Sequence, residues 1–530
     1  MKRHIFGFIL CNIILAALLT ACEPIEGSIE EVKEKAGWGG PYTVTFMSNG
    51  GGPEPELQIK ERGDKISEPP LMIFHDVTFV GWYKEANFIN KWDFDKDTVS
   101  RNTTLYAKWN FILPLTYIDY VVPYLNGLAG GTSVSNPVDL PMKINLGVMT
   151  SPGSGWKNLL QALVSANKYV CLDLSQCTMS GTQFNPDNSS FIGSESSILS
   201  LTLPAVADSI SGGYIAGGAF WGFYRLKEIY GNNVTFIDEY AFNGTYSLEK
   251  ADFPNAEKIE YKAFCNCTAL QSIRIPATVE IVWAPFQNCP SLTMFNLIGV
   301  GPLSVKEGGK ALVMFDTLLM SYPSASGTIT LDYITSIDQP AFAGNKSLQI
   351  ANFPNVTGIT QDAFGECTAL REIYLPNAEI IGPFAFSYCT SLSQIDFPEA
   401  TYIGVLAFYE CNNLIFVSLP KAEKIEYNAF QNTGTGNLYI SLGKNPPSVG
   451  IKIFNVIFDE KLVTVRVPLD ATGDYGPIPA VYDILDTTTK NWGNALRGIG
   501  YDPNNPLWSS NDYYGDGTVN ENVTLKIEYR

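Results

Sequence analysis

Ile359-Thr360-Gln361-Asp362-Ala363-Phe364-Gly365-Glu366-Cys367-Thr368-Ala369-Leu370-Arg371-Glu372-Ile373-Tyr374-Leu375-Pro376 is the stretch that decides the fold. Ile359 and the Ala363-Phe364 pair set apolar groups on one side of a short turn or helix. Leu370, Ile373 and Leu375 then enter a strand alternating in and out, and Pro376 ends it. The pattern recurs. Phenylalanine stands at 220, 242, 264 and 286, and again at 342, 364, 386, 408 and 430, in steps of 22 with one step of 56 between the blocks. Isoleucine lies five residues before each, from Ile215 to Ile425, and alanine directly precedes each except at Pro285. Leucine follows six later in every unit but the last. Proline stands ten before at 254, 276, 354, 376, 398 and 420. One such unit cannot bury its apolar face, whereas stacked copies merge their Ile, Phe and Leu columns into a single core. The spacing predicts a β-rich, parallel-stranded solenoid over about 155–442, degenerate at its start, with an inserted hairpin at about 300–333.

In such a stack the outward strand positions form ladders. They are Glu228 and Tyr230, Lys250 and Asp252, Ser272 and Arg274, Met294 and Asn296, Ile350 and Asn352, Glu372 and Tyr374, Gln394 and Asp396, Phe416 and Ser418. Varied side chains, including exposed Tyr, Met and Phe, fit a surface that meets a partner, although single exposed apolar residues are ordinary. The candidate contacts are Glu228, Tyr230, Lys250, Asp252, Arg274, Met294, Glu372, Tyr374, Asp396 and Phe416. Cysteines 267, 289, 367, 389 and 411 each lie three residues after a repeat phenylalanine, a column shared elsewhere by Thr245, Asn345 and Thr433. Turns about 4.8 Å apart would permit disulfides, and buried free thiols are the competing reading.

Working outward, residues 42–110 alternate as strands at Tyr42-Thr43-Val44-Thr45-Phe46, Val77–Tyr83, Lys91–Phe94 and Thr103–Trp109, with the turn cluster Ser48-Asn49-Gly50-Gly51-Gly52. A linker or N-terminal cap is expected over 111–154. Leu159, Leu160, Leu163 and Val164 lie at helical spacing before the strand-like Tyr169–Leu174. Beyond 443 the pattern decays into a β-rich cap with strand signals at Leu462–Val467 and Val523–Tyr529, as terminal repeats require. Asp512 and Asp516-Gly517 lack the closing Glu of a calcium loop and read as a turn.

The N-terminus opens with Met1-Lys2-Arg3-His4 and an apolar run, Ile5 to Leu19, too short to span a bilayer comfortably. Its end, Leu19-Thr20-Ala21-Cys22, resembles the bacterial lipobox, which implies cleavage after residue 21 and acylation of Cys22. An ordinary signal peptide with a coincidental cysteine is the alternative. Residues 22–41 then read as a tether, and the expected location is the bacterial envelope, lipid-anchored at the outer membrane or cell surface.

Composition removes whole classes. With Lys+Arg 35 against Asp+Glu 53 the formal charge is -18, which opposes nucleic acid and anionic lipid. Of two histidines, His4 leaves with a signal peptide, so only His75 could serve triad chemistry, and a zinc site on several histidines is excluded. His75 itself reads as a loop residue. No P-loop, G-x-S-x-G or dinucleotide fingerprint is present. The sequence thus favours a non-catalytic binding protein without cofactor, against a structural or antigenic lipoprotein without a ligand, or an enzyme of unrecognised type.

The repeat resembles the BspA-like leucine-rich repeat, through Leu375-Pro376, Ile381, Ala385-Phe386, Cys389, Leu392 and Ile395. Residues 42–110 resemble the internalin B-type, or Listeria-Bacteroides, repeat through Tyr42–Phe46, Ser48–Gly51, Gly81-Trp82-Tyr83, Trp92-Asp93-Phe94 and Thr104–Trp109. These resemblances imply a leucine-rich-repeat solenoid behind a small β-grasp-like domain. They also imply a surface adhesin whose partner is a host extracellular-matrix or cell-surface protein.

Overall fold

The computed structural model describes residues 41–186, 197–213, 218–337, 340–434, 437–443, 448–449, 461–467 and 523–529. The expected signal sequence, Cys22, most of the tether, Ile215 and Asp512 to Gly517 lie outside them. The described residues fall into two compact units, one within 1–112 with 123–129 and one within 113–122 with 130–530.

In the first unit, β1 (Tyr42–Met47), β2 (Gln58–Lys60), β3 (Thr78–Tyr83) and β4 (Thr103–Asn110) form one sheet in the order β2-β1-β4-β3. The central pair β1 and β4 is parallel and both edges are antiparallel. Alternation in β1 and β4 sends Val44, Phe46, Leu105, Ala107 and Trp109 inward against Trp82. Trp109 finds its polar partner at the Ser48 carbonyl, 2.9 Å from Nε1. Gly51 lies so close under that indole that a Cβ would stand 2.1 Å from it, which explains the glycine. Lys91–Phe94, expected as a strand, is not one. Lys91 makes a single bridge to Tyr83, after which Asp93 turns back, its N–H donating to Asp97. His75 is an exposed residue with φ of 45°, beside the Phe74 ring.

The second unit is a parallel-stranded solenoid. A regular turn contributes one strand of three to five residues and one of two residues, and the Ala-Phe segment between repeats is a turn rather than a helix. The longer strands of the first block form a parallel sheet of seven, from Val138–Pro141 through Val170–Asp173 to Met294–Ile298. The region read as linker or cap therefore supplies the sheet's first strand. Helix Gly155–Ala166, N-capped by Ser154, buries Trp156, Leu159, Leu160 and Leu163 before the chain enters Val170–Asp173.

The phenylalanine column is continuous within each block. Phe220, Phe242, Phe264 and Phe286 lie 4.6, 4.8 and 5.7 Å apart between successive ring centroids, and Phe342 to Phe430 lie 4.8 to 5.3 Å apart, stacked within 22° or better. Each ring is fully buried or nearly so. The five cysteines of the column are free and buried, and each thiol donates not to its neighbour but to the phenylalanine carbonyl 25 residues back, as Cys389 does to Phe364 at 3.1 Å. Cys267, Cys289, Cys367 and Cys411 repeat this at 3.0 to 3.2 Å. Sharp corners flank the ring in the regular turns: Asp362 and Glu366, two before and two after Phe364, are left-handed, with φ of 56° and 61°.

The residues expected as an inserted hairpin hold two things. Leu303–Lys306 and Ala311–Met314 are indeed antiparallel. From Leu318 the chain makes a degenerate turn of the solenoid. Leu318–Ser321 joins the ladder beside Ser336–Ile337, Tyr322 stands 6.0 Å from Phe342 at the column's head, and Gly327–Thr330 pairs with Leu348–Asn352. Tyrosine in place of phenylalanine, and a 20-residue step to Phe342, hid it from the periodicity.

Candidate binding face

The ladders on the long strands are in the expected register across the first block. Glu228, Lys250, Ser272 and Met294 form one column, and Tyr230, Asp252, Arg274 and Asn296 the next. In the second block Asn352 pairs with Tyr374 and Gln394 with Phe416. Between Glu372–Tyr374 and Gln394–Asp396 the hydrogen-bonded ladder is divided, three strands on one side and five on the other, while the two-residue ladder runs on through Ile359, Ile381 and Ile403.

The ten candidate residues separate into two chemically different groups. In the first block they bond to one another. The Tyr230 hydroxyl donates to Glu228 at 2.5 Å, Lys250 Nζ lies 3.2 Å from that hydroxyl and 4.8 Å from the ring centroid, and Arg274 pairs with Asp252 at 3.2 Å. Burial, and then the Glu228 carboxylate, raise the Tyr230 phenol above its ordinary pKa. The bond to Tyr230 raises the Lys250 ammonium. A surface with its donors and acceptors thus satisfied gains little from a partner. Met294, at the end of the block, is 50% exposed.

In the second block the corresponding residues surround a concavity of about 500 Å³. Glu372, Tyr374, Asp396 and Phe416 line it, with Gln394 and Ser418 among them. Tyr374 and Phe416 are 58% and 49% exposed, large values for rings on a folded surface. Tyr439, which was not anticipated, completes the set: its ring stacks on Phe416 at 5.4 Å and 18°. It escaped notice because its strand, Leu438–Leu442, comes 23 rather than 22 residues after the previous one, although Leu438, Ile440 and Leu442 carry the inward alternation that would have placed it. Glu372 has Arg371 as its ion-pair partner at 4.0 Å.

For chemistry the face offers aromatic planes, two carboxylates, an amide and hydroxyls. Among the described residues, no group of three or more His, Cys, Asp or Glu side chains could hold a metal ion. An exposed aromatic concavity of this kind is suited to recognition.

Comparison with protein families agrees with this architecture. Residues 174–301 and 322–437 match the BspA type leucine rich repeat region in six copies, and residues 42–108 match the Listeria-Bacteroides repeat domain. The second matched stretch opens at Tyr322, the residue at the head of the aromatic column in the degenerate turn. A Gly-rich membrane protein of Evansella cellulosilytica is 46% identical over 68 residues, 13% of this chain and 8% of that one. A second membrane protein of the same organism is 38% identical over 94 residues, 18% and 13% of the two chains. The chain therefore spans only a small part of these curated relatives. Among solved structures, a leucine-rich repeat protein from Eubacterium ventriosum is 19% identical with a TM-score of 0.42, covering 57% of this chain and 81% of that one.

Proposed function

We propose that this chain, built of BspA-type leucine-rich repeats behind a Listeria-Bacteroides repeat domain, is a non-catalytic adhesin of the bacterial envelope. In this reading the lipid anchor is on Cys22 at the outer membrane or cell surface, and the second block meets a host extracellular-matrix or cell-surface protein. The observation that carries the reading is the convergence of Tyr374, Phe416 and Tyr439 from separate turns on one concavity. Aromatic anchors in a partly enclosed site dominate protein recognition, because they bury much area at little entropic cost. The self-bonded first block fits the scaffold role of an envelope protein without a ligand, which confines the adhesive reading to the second block.

The test is the triple variant Tyr374→Ala, Phe416→Ala, Tyr439→Ala, compared with the unaltered chain by surface plasmon resonance over immobilised collagen, fibronectin and laminin. The reading expects at least a tenfold weaker interaction at an unchanged melting temperature. Equal binding by the folded variant removes this face. Cysteine labelling with palmitate in Cys22→Ser, and protease shaving of intact cells, test the anchor and the exposure separately.

A further inference from the structure

The tripeptide Glu-Ile-Tyr occurs twice on the strand face, as Glu228-Ile229-Tyr230 and as Glu372-Ile373-Tyr374. Each time an aspartate lies 22 residues after the tyrosine, at Asp252 and Asp396. The first copy is neutralised from within the chain. Lys250, in the column of Glu228, lies over the Tyr230 ring, and Arg274, in the column of Asp252, pairs with that carboxylate. In the second copy Gln394 holds the sequence position of Lys250 and Ser418 that of Arg274; no hydrogen-bonded ladder joins Glu372–Tyr374 to Gln394–Asp396, but all of these residues line one concavity.

Both internal cations are thus exchanged for neutral residues while the carboxylates and the tyrosine are kept. No Lys, Arg or His lines the concavity; Arg371, outside the lining, pairs with Glu372 at 4.0 Å, and Asp396 has no such partner among the described residues. Neither the Tyr374 hydroxyl nor the Asp396 carboxylate has a hydrogen-bond partner among the described residues, whereas Tyr230 and Asp252 both do. Lys250 displays the geometry available to a cation here: an ammonium 4.8 Å from a tyrosine centroid with a carboxylate beside it. In the second block the stacked Phe416 and Tyr439 rings add an apolar wall along which an aliphatic stem can lie.

We infer that the second copy draws its cations from the partner: an extended protein segment bearing lysine or arginine lays one charged side chain across Tyr374, between Glu372 and Asp396. The inference rests on the adhesive reading and names the chemistry of the segment recognised. The deletion of two positive charges from an otherwise repeated constellation makes the face complementary to a basic segment and opposed to an acidic one.

Titration of the full chain with an octapeptide of alternating glycine and lysine, its arginine counterpart, and a glycine-glutamine control tests it. The basic peptides bind one per chain and weaken with added salt, and the glutamine peptide does not bind. Gln394→Lys with Ser418→Arg, which copies the first block into the second, weakens the lysine peptide at least tenfold. The same added charge at Thr278→Lys with Thr293→Lys changes it less than twofold. Conversely Lys250→Gln with Arg274→Ser raises the stoichiometry to two. Undiminished affinity in the first pair, equal loss in the charge control, or unchanged stoichiometry in the last pair overturns the inference. Should the peptides fail while the aromatic triple variant still loses matrix-protein binding, the adhesive reading stands and the cation assignment falls. Should they bind as expected while no matrix protein does, the reverse holds.

Discussion

Replacing Phe386 by alanine should cost the second block about 4–5 kcal/mol, and the neighbours of the ring set that value. Phe386 is fully buried and lies between Phe364 at 5.2 Å and Phe408 at 5.3 Å, both within 11° of parallel, with Phe397 at 6.0 Å. Truncation of a buried phenylalanine costs roughly 3–5 kcal/mol from lost transfer energy and the cavity left behind. Each aromatic partner adds about 0.5–1.5 kcal/mol beyond area. Phe286 is equally buried but has a column partner on one side only, Phe264 at 5.7 Å, because the hairpin interrupts the next turn. Phe286→Ala should therefore cost about 1 kcal/mol less. Urea unfolding gives the two losses, and hydrogen exchange locates them. In a stack whose turns contact only their neighbours, protection should fall around residues 364–408 in Phe386→Ala and leave the first block unchanged. Equal losses in the two variants, or exchange that rises evenly through both blocks, would refute the view that stability is carried by neighbour-to-neighbour stacking.

The thiols give a pH prediction. Burial pushes Cys177 and Cys265 up to about 11 and raises the fully buried cysteines of the column as well. An acid whose folded pKa is raised stabilises the fold below its unfolded value, near 9, and that contribution is lost as pH climbs toward the folded value. Stability should hold to pH 9 and fall between 9 and 11 by up to about 1.4 kcal/mol per pH unit for each thiol; a flat profile over that window, or rapid native-state labelling of the column by Ellman's reagent, contradicts the burial. Glu366 sits in the left-handed region with φ of 61°, so Glu366→Gly should raise stability by about 0.5–1 kcal/mol, the strain relieved less the entropy glycine loses, as thermal unfolding would register. Gly51→Ala should drive a methyl into the Trp109 ring and unfold the β-sheet domain preferentially, shown by loss of near-ultraviolet tryptophan signal while the solenoid's melting is retained.

The sequence by itself determined the period, the identity of the buried columns and the alternation of the N-terminal sheet. These are properties of spacing along one strand or one turn: Ile381, Phe386 and Leu392 must face inward because a 22-residue unit has nowhere else to put them. The outward ladders followed from the same alternation. What those ladders do was decided laterally, by which side chain the adjacent turn brings alongside. Lys250 beside Tyr230 and Glu228 closes one copy of the constellation, and Gln394, which shares a concavity with Tyr374 and Glu372 across a break in the ladder, does not close the other, although the two tripeptides are identical. Likewise the thiols satisfy a carbonyl one turn away, and Tyr322 and Tyr439 enter their columns across 20- and 23-residue steps. Spacing encodes which face a residue shows, whereas hydrogen bonds and ion pairs between turns depend on atoms more than twenty residues distant, which only the stacked structure brings within about 3 Å.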